Sequence, residues 1–357
     1  MFHPLRVRAT ERITDDAVAV TFDVPPELRE TFRHTPGQHL NVRYTVGGRE
    51  IRRSYSLCSP AVRAPGEPEL TIGIRAIEGG AFSTYALTEL AVGDEVEAMP
   101  PAGRFTLAPR PGHFAAIVGG SGITPVLSMA TSLLTREPSA TFCLIRSDRT
   151  AASTMFLDEV ADLKDRFPDR FRLVTALSRE EQTAGLPSGR LDRERLLGLL
   201  PMLVPVADVA DWYLCGPYGL VRDSASALRA LGVERSHVHQ EIFHVDHVDD
   251  GPSSTPVVRP AGTDGERSKL TATLHGRSGS WPVRSGEPLL ETVLRGRSDA
   301  PYACKGGVCG TCRAFLVRGE VRMDRNFALE PDETSAGFVL ACQSHPLTPE
   351  VELDFDR

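Results

Sequence analysis

The chain has 357 residues, too many for one core, because single cores stop growing near about 250–300 residues, so two or three domains are expected. A composition of 41% hydrophobic and 24% charged residues excludes collagen-like and wholly disordered classes. The formal charge of -7 excludes general nucleic-acid binding, which needs a basic surface to neutralise phosphates.

The first 16 residues carry Arg6, Arg8, Glu11, Arg12, Asp15 and Asp16 and no apolar stretch of signal-peptide length, which predicts a cytoplasmic protein. Short alternating stretches at 17–24, 39–44, 51–57 and 70–75, punctuated by Pro and Gly, predict an antiparallel β-barrel or sandwich over residues 1–109. From 110 to 245 the pattern changes to apolar strands alternating with helices. Strands are expected at 114–118, 141–145, 171–177 and 212–214, and helices from Pro125, over 155–165 and after Pro217. This alternation predicts an α/β domain with a parallel sheet. The uncharged run 114–134 is long enough to raise the question of a membrane span. Gly119, Gly120, Ser121, Gly122, Thr124 and Pro125 break it into strand, turn and helix, so no membrane association is expected.

Residues 246–267, rich in Pro, Gly, Ser and charge, read as a flexible linker. A third domain is expected over 268–357. It is a small α+β unit with a hairpin at 270–274 and 280–283, a helix at 289–295, and strands at 314–321 and 351–355.

Seven cysteines in a chain without an export signal are expected to be reduced thiols or metal ligands. Cys58 and Cys143 read as core residues. Cys304, Cys309 and Cys312 stand in PYACKGGVCGTC and Cys342 follows in VLACQSH, the C-x₄-C-x₂-C spacing with a distant fourth ligand of a plant-type 2Fe-2S cluster. Gly306, Gly307 and Gly310 let backbone amides approach the cluster sulfurs. A structural zinc site is the competing reading, but the first spacing is too long for a standard knuckle.

In IVGGSGITP, Gly120, Gly122 and Thr124 mark a strand, a glycine turn and a helix start, where free N–H groups attract a diphosphate. The full GxGxxG fingerprint is absent, and an ordinary strand-to-helix turn would explain it equally well on its own. Cys215, Gly216 and Pro217 in YLCGP again end a strand and open a helix, at the carboxyl edge where open α/β sheets bind ligands. Ser178 and Arg179 follow the strand at 171–177. The arginine fork suits a ribose 2'-phosphate, so NADPH is expected ahead of NADH, with Arg146 and Arg149 as further candidates. Asp148 argues for NADH, because it lies near the position, about 20 residues past the turn, where NAD sites carry an acid.

Arg53, Ser54, Tyr55 and Ser56, followed by Gly80, Ala81, Phe82 and Ser83, supply a cation, aromatic faces and hydroxyls; alone they would be a strand end and a turn. In this order and spacing RSYS, GGAFS, GGSGITP and YLCGP resemble the ferredoxin-NADP reductase superfamily. The appended cysteine motif resembles its oxygenase-reductase branch, and the likeness covers nearly the whole chain outside the linker. It implies FAD, with Arg53 at the flavin phosphate, Ser54 among the flavin-binding residues, Tyr55 on the isoalloxazine ring, Ser56 near its reactive nitrogen, and Gly80 and Ser83 at the diphosphate. It implies that Thr124 and Cys215 flank the nicotinamide, with Glu241 near the hydride-receiving side of the flavin. Ser56, Cys215 and Glu241 are thereby the candidate catalytic residues.

The resemblance also implies a β-grasp fold for the cluster domain, and hydride passing from NADPH to FAD before single electrons reach the cluster. The late segment from CKGGVCGTC to VELDF is similar to the reductases of phenylacetyl-CoA epoxidases, which implies a di-iron oxygenase as partner. A Rieske-type ring or steroid hydroxylase is the alternative. An iron-sulfur carrier without enzymatic activity is the alternative of another class, and it would leave two nucleotide-type turns without a use. One departure is that Pro100 and Pro101 precede Gly103 and Phe105, where many members carry Gly-Pro. The flavin contacts there stay open.

Overall fold

The structure is a computed structural model that describes residues 2–46, 48–181, 186–244 and 268–357. It divides into two compact units, Met1–His244 and Val245–Arg357. The expected barrel and α/β sheet fall together in the first. The expected linker at 246–267 lies outside the described residues.

In the first unit β1 (His3–Thr14), β2 (Ala17–Asp23), β3 (His39–Val46), β4 (Arg49–Ser56), β5 (Leu70–Arg75) and β6 (Glu95–Ala98) form an antiparallel sheet in the order β4-β3-β6-β1-β2-β5. A bridge between Leu57 and Ile72 joins its two edges, so the sheet closes into the expected barrel. Alternate residues such as Leu5, Val7, Leu40, Val42, Leu70, Ile72 and Ile74 point inward and are buried, the period-2 pattern that makes these segments strands. Helix α1 (Ala81–Thr88) packs Phe82 and Tyr85 onto this core.

The parallel sheet has strands β7 (His113–Gly119), β8 (Thr141–Asp148), β9 (Phe171–Leu177), β10 (Val209–Pro217) and β11 (Val238–His244) in the order β11-β10-β7-β8-β9. Helices α2 (Ile123–Arg136), α3 (Leu157–Arg166), α4 (Arg193–Leu203) and α5 (Tyr218–Ala230) connect them. The chain leaves central β7 toward β8 and later returns on its other side as β10. The switch point is therefore between the carboxyl ends of β7 and β10, where such sheets open a crevice. Helix α4 was not expected from the sequence, and α3 begins at Leu157 because Phe156 is left-handed.

The second unit holds β12 (Lys269–Leu274), β13 (Arg277–Pro282), α6 (Leu289–Gly296), β14 (Arg313–Arg318), β15 (Val321–Met323), α7 (Pro331–Ser335), β16 (Phe338–Leu340), β17 (Ser344–Pro346) and β18 (Glu350–Asp354). Five strands pair in the order β13-β12-β18-β14-β16, with α6 laid across them. The single strand expected at 314–321 is corrected to two strands in separate sheets. Gly319, at φ 89°, turns the chain where a Cβ would strike the Glu350 carbonyl at 2.3 Å. Among the described residues no helix is long and apolar enough to cross a membrane.

Candidate redox sites

The RSYS segment closes β4. Ser54 donates its hydroxyl to Asn41 Oδ1 at 2.6 Å, which fixes the strand end against β3. Arg53 is exposed, with one nitrogen on the Arg52 carbonyl at 2.8 Å. Tyr55 is half-buried and braced by Phe82, with ring centroids 5.5 Å apart. Across the next turn, Ser83 donates to the Gly80 carbonyl at 3.1 Å and accepts from the Ile77 N–H at 3.3 Å. Its hydroxyl therefore closes the turn. What the turn presents outward is backbone, and no side chain caps the N-terminus of α1.

Register assembles the three candidate catalytic residues. Cys215 on β10 pairs with Glu241 on β11 and with Val118 on β7, one residue before the glycine turn. The Glu241 carboxyl is hydrogen-bonded to Ser56 from the barrel, while its Oε2 is buried with no partner among the described residues. Burial pushes this carboxyl up to about 8, opposed by the Ser56 bond. The Cys215 thiol, fully buried, is pushed upward by burial and then by Glu241, so it stays a neutral thiol.

The two nucleotide-type turns touch through their backbones. A Cβ on Gly122 would lie 2.3 Å from the Cys215 carbonyl oxygen, and one on Gly216, at φ 138°, would lie 2.8 Å from the Gly119 oxygen. Only glycine allows this approach. Thr124 is buried and donates to the Ser121 carbonyl at 2.9 Å. Neither α2 nor α5, which follows Pro217, has a side-chain cap, so both present free N–H groups at the crevice.

Ser178 and Arg179 are held at the ends of β8 and β9 by bonds from their N–H groups to the Asp148 and Arg149 carbonyls, both at 2.9 Å. Arg179 and Arg149 are exposed there. The expectation that Arg146 or Asp148 meets the ribose is corrected. Arg146 Nε donates to Asp148 Oδ2 at 2.8 Å, and both side chains are only 1% exposed, so neither reaches a ligand at the surface.

In the second unit the four cysteines stand as two hydrogen-bonded pairs, Cys304 with Cys309 and Cys312 with Cys342. Within each pair one thiol donates to the other sulfur. The bond from Cys309 brings Cys304 down to about 5, and the bond from Cys312 lowers Cys342. Among the described residues no group of three or more His, Cys, Asp and Glu gathers as a single ion would require. Two cysteine pairs, once deprotonated, suit two irons. The Gly306 N–H donates to Cys304 Sγ at 3.3 Å, and Gly307 and Gly310 are left-handed, as is Lys305. Cys312 and Cys342 are buried, whereas Cys304 and Cys309 are half-exposed.

Sequence reasoning missed Asn41, which no local motif marks. It also missed Gly73, although a glycine inside the strand run LTIGIR signals close approach. A Cβ there would meet Thr124 Cγ2 at 2.6 Å and the Phe156 ring at 2.9 Å.

Three family descriptions match the chain: Oxidoreductase FAD-binding domain over residues 4–107, Oxidoreductase NAD-binding domain over 116–226, and 2Fe-2S iron-sulfur cluster binding domain over 272–347. The chain is 40% identical to a component of the 1,2-phenylacetyl-CoA epoxidase of Escherichia coli (strain K12), over 99% of this chain and 98% of that one. It is 29% identical to the ferredoxin reductase component of 3-ketosteroid-9-alpha-monooxygenase from Rhodococcus rhodochrous, over 98% and 96%. Phthalate dioxygenase reductase shares the fold, with a TM-score of 0.59 and 24% identity over 99% of this chain and 98% of that one.

Proposed function

The chain belongs to the ferredoxin reductase family of FAD-, NAD- and 2Fe-2S-domain oxidoreductases, and from that premise we propose that it acts in the cytoplasm, carrying electrons from NADPH to a di-iron phenylacetyl-CoA 1,2-epoxidase. An oxygenase as acceptor follows from the family. The epoxidase rests on one observation, the 40% identity to the Escherichia coli epoxidase component along 99% of the chain. A flavin, which accepts a hydride pair and releases electrons singly, is the converter that a one-electron cluster requires.

The residues fit these groups, each by a feature that the fold alone does not need. Arg53, Ser54 and Tyr55 would hold the flavin. Gly80 and the uncapped start of α1 would take its diphosphate, with Ser83 keeping the turn closed. Ser56 and Glu241 hold a proton between them, and the unpartnered Glu241 Oε2 marks a polar atom awaiting a ligand. Cys215 and Thr124 would exclude water beside the nicotinamide, Cys215 as a neutral thiol. Gly120, Gly122, Gly216 and Pro217 would admit the nucleotide diphosphate to the helix N-termini. Ser178 and Arg179 would bind the 2'-phosphate and so favour NADPH. Cys304 and Cys309 would hold one iron, Cys312 and Cys342 the other, with the half-exposed pair toward the acceptor.

The test is reconstitution. The purified oxygenase components of a phenylacetyl-CoA epoxidase, supplied with this protein and NADPH, are expected to turn over phenylacetyl-CoA. Turnover of a Rieske-type ring or steroid hydroxylase, with none of the epoxidase, would overturn the assignment of partner.

A further inference from the structure

Residues 149–156, which join β8 to α3, are fastened from three sides. Thr150 and Ser153 bond each other's backbone, with the Thr150 N–H on Ser153 Oγ at 3.1 Å and the Ser153 N–H on Thr150 Oγ1 at 3.3 Å. From β8, Arg146 Nη2 donates to the Met155 carbonyl at 2.9 Å. From the barrel strand β5, Arg75 Nη2 donates to the Ser153 carbonyl at 2.5 Å, while both oxygens of Asp16 accept from the same guanidinium at 3.0 and 3.1 Å. Two carbonyls of one loop are thus each held by an arginine, one from each sheet.

The loop ends on Phe156, left-handed at φ 55°, a conformation unfavourable for a bulky side chain unless the surroundings impose it. It delivers the ring to Gly73 of β5, where a Cβ would stand 2.9 Å from Phe156 Cε2 and 2.6 Å from Thr124 Cγ2. Phe156 and Thr124 therefore reach the same point on the barrel. The Arg146–Asp148 pair behind them is an inefficient way to add stability. Arg146 Nη1 and Asp148 Oδ1 are buried without partners among the described residues, and apolar side chains of equal volume commonly serve a fold as well or better. What apolar side chains lack is a directional donor for the Met155 carbonyl.

We propose that Arg146, Asp148 and Phe156 form a clasp that fixes the distance between the nicotinamide-side helix start at Thr124 and the flavin-side strand β5, and so act as positioning residues for hydride transfer. This rests on the reading that Thr124 lies beside the nicotinamide. The test uses the full holoprotein carrying Arg146→Met together with Asp148→Leu, and separately Arg146→Lys, which keeps a charge opposite Asp148 but loses the fork that reaches Met155. Flavin content, melting temperature, the dissociation constant for NADPH and the stopped-flow rate of flavin reduction are measured. Flavin content and the dissociation constant for NADPH are expected to match the wild type, and the melting temperature to fall by no more than a few degrees, as loss of one donor to the buried Met155 carbonyl requires. The rate is expected to fall by about 10- to 100-fold in both, since a misplacement of about 1 Å costs on the order of 100-fold. A wild-type rate in either variant overturns the clasp, and so does a slower rate that comes with matching losses of melting temperature and flavin in both. Thr124→Ala is run in parallel. If it is slow while the clasp variants are normal, the clasp alone fails; if all are normal, the placement of the nicotinamide fails as well.

Discussion

Gly122→Ala isolates the contact on which the proposed nicotinamide crevice depends. Gly122 has φ -61°, which any residue adopts, so alanine adds a methyl group without backbone strain. That carbon would stand 2.3 Å from the Cys215 oxygen, 2.5 Å from its carbonyl carbon and 2.8 Å from the Gly216 nitrogen, all main-chain atoms that cannot rotate aside. Ordinary contact near about 3.5 Å is restored only if the two turns part by about 1 Å. Overpacking of this kind costs about 1–3 kcal/mol, so the melting temperature should drop by several degrees. Cys215 moves with its turn, and the same displacement should slow flavin reduction by NADPH on the order of 100-fold. Stopped-flow absorbance at the flavin band measures the rate, and calorimetry the stability. Gly198→Ala is the control, because a Cβ there meets nothing within 4 Å; in mid-helix it should add about 0.5–1 kcal/mol and leave the rate alone. A Gly122→Ala protein with wild-type rate and melting temperature would refute the claim that backbone contact between the turns shapes the crevice.

Glu241 has a folded pKa near 8 against an ordinary value of 4.5, so the folded chain keeps a proton that the unfolded chain releases between them. Stability should therefore decline as pH rises from 4.5 through 8, and melting curves across that range should be flatter for Glu241→Gln. Cys342→Ser should abolish the iron-sulfur absorption and labile sulfide while ferricyanide reduction by NADPH persists, because Cys342, the proposed fourth ligand, belongs to the second unit alone. Arg179→Ala should raise KM for NADPH by about tenfold or more, the scale of a lost charge-assisted bond, and leave NADH kinetics unchanged; equal effects on both would remove its assigned role.

The cysteine spacing and the strand-helix alternation were legible because each is set by local geometry. C-x₄-C-x₂-C must close a tight loop, and the pairing of Cys304 with Cys309 and Cys312 with Cys342 follows from that loop meeting the end of β16. The meeting of Ser56, Cys215 and Glu241 depends on parallel register between β10 and β11 and on the barrel reaching them. No periodicity encodes this, and family resemblance alone pointed to it. Arg146 and Asp148 misled for a similar reason. In IRSDR they look like surface charges after a strand, but continuing β8 to Asp148 places both on its buried face, where they pair with each other. Helix α4 escaped notice because Pro201 interrupts its pattern near the end.

The path from nicotinamide through flavin to cluster is tested most directly by anaerobic titration with NADPH, followed in the visible spectrum until bleaching is complete. The protein is expected to take up about three electron equivalents per chain, about two for the flavin and about one for the cluster. Uptake that stops at about two, with the iron-sulfur absorption untouched, would contradict the account.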